Sequence, residues 1–507
     1  MQYRLIIKQL GILILLVGGC LSTSLIWAFL DYQQPGSERV IPSFLFSMGI
    51  CGLTGGFFLY AGRKVKGQLY RKEAIAVVGL GWLLTGLLGA LPYLLSGVLT
   101  VLYPNLFSRV CSALFESVSG FTTTGASIFP EPEKLPRAIL FWRSLTHWLG
   151  GMGIIVLFVA VLGGTGAGFK YLFRSEVPCS PSETIRPRIR QTALLLWKIY
   201  IAISAVEVLC LMLQGVNLFE SLCHTFGTMA TGGFSVLNGS IGQYHRFGIE
   251  ITIMVFMIAA GTNFNLYAEI LQGRFAAVWK NRELQVYLLI LLCAAGLLSL
   301  DLILNRPETY DVPQALRVSA FQAVSLMTTT GYITDDFNAW PSFSRWLLVL
   351  LMFIGGCSES TGGGIKVIRI LIFFRAALLE AERFFRPHVV RPLKIAGHTV
   401  DETFRRNVCM YVGMVLVLFL LATVLLMILH NEIQVGPAQT LDLETAFSAV
   451  ATTMNTVGPG LNRVGAVHNF AFFTPAAKLL LSLLMILGRL EIMVVACLFT
   501  PNFWRKN

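Results

Sequence analysis

"FIGGCSESTGGGIKVIRILIFF", Phe353 to Phe374, interrupts an apolar run that begins near Trp346. By length and hydropathy the run reads as one membrane helix. Its middle nevertheless holds five glycines, three hydroxyl side chains and the carboxylate of Glu359. Hydrocarbon offers polar groups no partner. Irregular backbone at membrane depth therefore survives only where protein buries it or water lines it. The stretch demands a protein interior inside the membrane, and that demand decides the fold.

Working outward, the chain has 507 residues, of which 55% are hydrophobic and 13% charged. A soluble domain carries about 25% charged residues. Apolar runs of about 20 residues, enough to cross the hydrocarbon, recur along the whole length. The fold class is an all-α polytopic membrane protein. The net charge of +12 raises nucleic acid as a partner, but the placement of the bases argues against it. They cluster in alternate loops: Arg63 to Lys72, Lys170 to Arg190, Arg274 to Arg282, Arg383 to Arg406, and Arg505 with Lys506. Intervening loops such as Leu429–Glu444 carry few or none. This is the positive-inside pattern. It predicts a membrane-embedded chain with both termini in the cytoplasm and an even number of spans.

The ten cysteines stand singly, with no C-x-x-C pair, and read as small apolar packing residues. "LVGGC" before Cys20 imitates a lipoprotein signal, but the apolar run continues to Leu30, so a retained span is expected. Two spans come first, about 5–30 and 41–61. After the basic loop 63–72 a pattern repeats four times: a long apolar run, a shorter segment rich in Ser and Thr, a glycine, a polar loop and a second long run.

The short segments are "FESVSGFTTTGAS" (Phe115–Ser127), "LCHTFGTMATGGFS" (Leu222–Ser235), "FQAVSLMTTTGYI" (Phe321–Ile333) and "FSAVATTMNTVGPG" (Phe447–Gly460). Aligned on Gly125, Gly233, Gly331 and Gly458, they recur at intervals of 108, 98 and 127 residues, with one inserted residue in the fourth copy. About ten residues of helix cover only about 15 Å, so each segment enters the membrane halfway and returns as extended chain at its Thr-x-Gly. Each is thus expected to be a re-entrant hairpin. Two leading helices with their basic loop (1–73) are then followed by pore repeats at 74–190, 191–282, 283–403 and 404–507.

Four such hairpins around one axis would aim backbone carbonyls inward. A ring of carbonyls replaces the water shell of a monovalent cation, and glycine permits the backbone angles that this requires. A single Thr-Thr-Gly reads equally well as a helix-packing site whose hydroxyls bond back to the backbone. Four copies in the same context favour the ring. Glu116, Glu220 and Glu444 near the half-helix starts, and Asp335 and Asp336 after the third glycine, either gather cations in an outer vestibule or answer the helix dipoles.

Other chemistry is thin. "GGTGAGFK" (Gly163–Lys170) lacks the G-K-[ST] ending of a phosphate loop. His147 and His224 read as packed, hydrogen-bonded residues. No nucleophile stands with a base, so an enzyme is not expected, and no covalent cofactor is implied.

The four segments, together with "RSLTHWLGGMGIIVLFVAVLG" (Arg143–Gly163), "STGGGIKVIRI" (Ser360–Ile370) and "TVGPGLNRVG" (Thr456–Gly465), closely resemble the TrkH potassium transporters. These share a superfamily with KtrB, HKT and KdpA. The resemblance runs the full length. It implies a bacterial inner-membrane protein with one pore per subunit, a homodimer, and a cytoplasmic TrkA-type nucleotide-binding ring as regulatory partner. It implies potassium as the transported ion, held by filter residues. By position these are Thr123, Thr124 and Gly125; Thr231, Gly232 and Gly233; Thr329, Thr330 and Gly331; Thr456, Val457 and Gly458. In sodium-preferring HKT members the first filter glycine looks like a serine, and all four positions are glycine here.

The resemblance also implies a gate. The second helix of the third repeat is expected to be broken by an intramembrane loop, Gly355–Gly364, with Gly355, Gly356, Gly362, Gly363 and Gly364 as its soft points. Arg489, in the second helix of the fourth repeat, is expected to face that loop. An arginine within an apolar run is costly and by default functional. The family loop usually reads Gly-Gly-Cys-Ala-Gly-Ser-Thr-Gly-Gly-Gly, whereas this chain has Ser358 and Glu359 in place of the Ala-Gly pair. Buried without a partner, Glu359 would cost several kcal/mol or stay protonated, so a pairing with Arg489 in a closed state is expected. An acid facing a wet cavity and attracting potassium is the rival. The basic loops Lys170–Arg190 and Arg383–Arg406 offer docking surfaces for a cytoplasmic ring. Sodium- or proton-coupled potassium symport, or a sodium-permeable member of the same superfamily, stands as the alternative function.

Overall fold

A computed structural model describes residues 1–32, 38–65, 69–153, 189–386, 392–395, 398–431, 440–490 and 492–505. Gly163–Lys170, the tail of the 143–163 stretch, most of the basic loop 170–190, and Lys66, Arg391 and Lys506 lie outside the described residues.

The chain is helical apart from one antiparallel pair of two-residue strands among the described residues, β1 (Lys394–Ile395) and β2 (His398–Thr399). Two leading helices, α1 (Tyr3–Leu30) and α2 (Val40–Gly62), form the first layer. They pack so closely that a Cβ on Gly11 would stand 2.9 Å from the Gly55 carbonyl oxygen. Small residues at such crossings are how membrane helices gain contact without a hydrophobic drive between them.

Four hairpins follow. The first comprises α3 (Arg71–Gly89), α4 (Leu91–Leu95), α5 (Leu106–Phe121) and α6 (Arg137–Gly151). The second comprises α7 (Ile189–Leu213), α8 (Leu218–Met229), α9 (Phe247–Ala260), α10 (Phe264–Leu271) and the short α11 (Phe275–Trp279). The third comprises α12 (Arg282–Asn305), α13 (Val312–Met327), α14 (Ser342–Ile354) and α15 (Val367–Phe385). The fourth comprises α16 (Glu402–Asn431), α17 (Leu443–Asn455), α18 (Pro475–Leu490), α19 (Ile492–Leu498) and α20 (Pro501–Trp504).

Among the described residues, six helical stretches are long and apolar enough to cross a membrane: α1, α2, α3 running on through α4, α7, α12 and α16. The half-helices α5, α8, α13 and α17 have 16, 12, 16 and 13 residues, or about 18–24 Å at about 1.5 Å per residue. Short polar residues start three of them. Asn217, Asp311 and Asp442 accept hydrogen bonds from the backbone N–H of Glu220, Gln314 and Thr445, which satisfies donors that a helix start leaves open.

The helix after each re-entrant segment is short. The break after α14, of 13 residues, is the expected one at 355–364; where the sequence predicts a second long run in the other three hairpins, α6, α9 and α18 have only 15, 14 and 16 residues. At about 1.5 Å per residue none reaches the about 30 Å of a span. The reason lies in the residues at three of the ends. Gly153, just past α6, takes φ +73°. Gly261 caps α9, and the chain turns by 93° into α10. Gly355 caps α14 at φ +77°.

Candidate ion pathway

Each half-helix ends the same way. Thr123, Thr231, Thr329 and Thr456 take φ of 56°, 53°, 63° and 55°, the left-handed region that costs an L-residue about 1 kcal/mol or more. One residue on, the backbone N–H of Thr124, Gly232, Thr330 and Val457 reaches back to the carbonyls of Ser119, Gly227, Ser325 and Thr452 at 2.8–2.9 Å. This is a Schellman closure, with threonine where glycine is usual. It ties up the last helical carbonyls and swings the next residues off the helix axis.

The glycine that follows is left-handed as well. Gly125, Gly233, Gly331 and Gly458 have φ of 77°, 77°, 80° and 100°. A Cβ on Gly125 would overlap the carbonyl oxygen of Gly232 in the next segment. Gly233 stands in the same relation to Thr330, and Gly331 to Val457. A Cβ on Gly458 would lie 2.8 Å from the Thr124 carbonyl oxygen, back in the first segment. The contacts run once around and close, so the four segments meet about one axis. Among the described residues, no backbone N–H outside the helices donates to the carbonyls of Thr124, Gly232, Thr330 or Val457. Above them, one open depression is lined by all four glycines with Arg143, His468 and Asn469.

The ring is braced from behind. Glu116, expected near the outer start of its half-helix, is instead deep in α5 and fully buried. Its carboxylate accepts from Arg143 Nε at 2.7 Å, Ser127 Oγ at 3.1 Å and the Ile128 N–H at 2.9 Å. Arg143 lies 4.1 Å from the centre of the Phe234 ring. The pair thus ties the first half-helix to the exits of segments one and two, and no vestibule acid is involved. Glu220 accepts from Tyr244, Asp335 from Tyr310 and Trp340, and Asp336 from the Asn338 N–H. Glu444 pairs with Arg345 at 3.2 Å. His147 bonds the Gly120 carbonyl at 2.7 Å and stacks on Phe234. His224 bonds the Tyr244 hydroxyl at 3.0 Å.

The polar stretch Gly355–Gly364 lies directly below. Residues 355–366 leave α14 and return to start α15 as a loop pinched at its neck. Ile365 and Lys366 donate to the carbonyls of Phe353 and Ile354, both at 3.0 Å, and Val367 donates to Gly356 at 3.1 Å. A Cβ on Gly355 would overlap the Gly363 carbonyl, so glycine is needed at that crossing. The tip touches the ring's threonines. Gly363 N–H donates to Thr329 Oγ1 at 2.6 Å, and a Cβ on Gly363 would overlap Thr456 Oγ1. A Cβ on Gly362 would come within 2.9 Å of the Thr328 carbonyl oxygen.

Arg489 reaches the same place from α18. Its guanidinium donates to the Thr361 carbonyl at 2.9 Å, Thr123 Oγ1 at 3.2 Å, and the Gly150 and Gly151 carbonyls at 2.6 and 2.7 Å. The last two are C-terminal carbonyls of α6, where a cation is favoured, and that of Gly150 also accepts from the Gly153 N–H at 3.0 Å. Glu359, itself left-handed at φ 57°, accepts a side-chain hydrogen bond from Asn265.

The structure thus brings the twelve ring residues, the loop and Arg489 into one column. Asn265, Glu283, Arg143 and the left-handed role of the threonines were not read from the sequence. The recurrence of threonine two residues before each glycine was the one available signal for the last of these.

The TrkH family of cation transport proteins matches residues 53–506. The chain is 35% identical over its full length, and the relative's, to the Trk system potassium uptake protein TrkH of Salmonella typhimurium. It is 32% identical to the Trk system potassium uptake protein TrkG of Escherichia coli, covering 92% of this chain and 93% of the relative. The crystal structure of the potassium transporter TrkH from Vibrio parahaemolyticus superposes with a TM-score of 0.85 at 32% identity, covering both chains completely. With the family match spanning most of its length, this chain belongs to the TrkH family of cation transport proteins.

Proposed function

We propose that this chain takes up potassium across the bacterial inner membrane through the ring of re-entrant segments. One observation carries the reading. Among the described residues, four carbonyl oxygens at successive corners of a closed ring accept from no backbone N–H outside the helices and are held against glycine. Buried acceptors without donors are unfavourable unless something else satisfies them. A monovalent cation that has shed its water does so. The names of the relatives, each a Trk system potassium uptake protein, support potassium over sodium, as does glycine at all four corners.

In this reading the repeats at 74–190, 191–282, 283–403 and 404–507 each supply one corner. The loop at 355–364 is a movable plug, supported by its contact with Thr329 and Thr456 from below. Arg489 adds a fixed positive charge beside it, which raises the barrier to a cation while the plug is in place. The family resemblance extends the proposal to a homodimer and to a cytoplasmic TrkA-type nucleotide-binding ring that sets the plug's position. Ions then pass down their gradient without a coupled proton or sodium.

Purified protein in liposomes, placed under separate potassium, sodium and proton gradients, tests this. The reversal potential is expected to follow potassium alone. A reversal potential that shifts with the proton or sodium gradient would replace passive uptake by coupled symport.

A further inference from the structure

The plug is fastened sideways as well as from above, by residues outside the ring. Ser358 donates twice to Glu283 in the first turn of α12: its N–H at 2.6 Å and its hydroxyl at 2.7 Å. Both residues are buried, Glu283 at 7% and Ser358 at 3% exposure. Glu359 accepts at its carboxylate from the Asn265 side chain, and at its backbone carbonyl from the Phe264 N–H at 3.1 Å. Cys357 N–H donates to the Gly261 carbonyl at 2.9 Å and Thr361 to that of Ala260 at 3.3 Å. The two residues by which this chain departs from the usual family loop are therefore both clasped through their side chains, as is Thr361, whose hydroxyl donates to the Ala260 carbonyl at 3.1 Å.

The clasping residues bracket one piece of chain. Asn265 opens α10 and Glu283 follows α11. The segment between them is peripheral, with Leu271, Phe275 and Trp279 exposed, and it carries Arg274, Lys280 and Arg282 of the cytoplasmic basic pattern. We propose that Asn265 and Glu283 are positioning residues that fasten the intramembrane loop, through Glu359 and Ser358, to the two ends of the 264–283 segment. The functional consequence rests on the loop being the gate. A bidentate carboxylate clasp on a buried N–H and hydroxyl holds geometry that a glycine or alanine loop cannot, because those residues offer no second donor. Rearrangement of the loop must break these bonds or carry the 264–283 segment with it.

Cys357, buried between the two clasps, reports on loop position without reference to transport. In a background with the other nine cysteines replaced, the rate at which a cationic methanethiosulfonate modifies Cys357 from the cytoplasmic side is compared between the parent, Asn265→Ala and Ser358→Ala. Glu283→Gln, which keeps volume and one acceptor, serves as the conservative member, and potassium flux is measured on the same vesicles. Several-fold faster modification in Asn265→Ala and Ser358→Ala, with a smaller rise in Glu283→Gln, is expected, together with raised flux. Unchanged modification in both alanine variants overturns the fastening, whatever the flux does. Faster modification with unchanged flux upholds the fastening and sinks the reading of the loop as the gate.

Discussion

Gly125 shows how much one hydrogen atom decides. Its φ of 77° and its approach to the Gly232 carbonyl both exclude a side chain. Gly125→Ser is therefore expected to push segments one and two apart and spoil the spacing of the oxygens. The measurable result is a higher ratio of sodium to potassium flux in liposomes, and an unchanged ratio would remove this corner from the selectivity argument. The glycines were legible in the sequence because residue type and role coincide. The left-handed threonines were not. A β-branched residue resists that conformation, and the bonds from residues 124, 232, 330 and 457 back to the half-helix close it. The Glu116–Arg143 pair was equally hidden. Its members are 27 positions apart on different helices, and a glutamate in a half-helix reads just as well as an answer to the dipole.

At the level of elements, the start of α17 is set by Asp442. Burial raises its carboxyl, but hydrogen bonds from Thr445 and Asn462 outweigh this and hold it below the ordinary aspartate value. A carboxyl depressed in the folded protein stabilises it above the unfolded value, and that contribution fades as pH falls through the folded value. Asp442→Ala should lower stability by about 1 kcal/mol at neutral pH, read as a lower melting temperature in detergent. The difference from the parent should shrink on acidification below about pH 4, the range of an unperturbed aspartate. Equal differences at both pH values would remove the carboxylate from the effect. The half-helices themselves were legible, because their length and the Thr-x-Gly that follows leave little choice. The end of α14 was legible too, in the polar break at 355–364, but the early ends of α6 and α9 were not. A glycine in an apolar run serves a close helix crossing as readily as a stop, as Gly11 and Gly55 do inside α1 and α2.

Across the whole molecule, the column of ring, loop and Arg489 is assembled from all four hairpins, which lie far apart in sequence. Arg489 bonds residues 338, 339 and 366 positions away, which is why its orientation came from the family resemblance and not from its neighbours. A closed-state pairing of Glu359 with Arg489, expected from the family resemblance, would be a property of this assembly. Glu359→Gln and Arg489→Gln, alone and together, should show a non-additive change in open probability in single-channel recordings. Strict additivity would mean that the acid acts through its clasp to Asn265 or on the ion directly. The closed circuit of glycine–carbonyl contacts has a further consequence. Because a single chain supplies every corner, the corners are separately editable. A substitution in a fourfold homotetramer alters all four positions at once, whereas here one codon changes a quarter of the ring. Oxygen spacing can therefore be graded in single steps, and evolution can drift one corner while the other three keep the ion path intact.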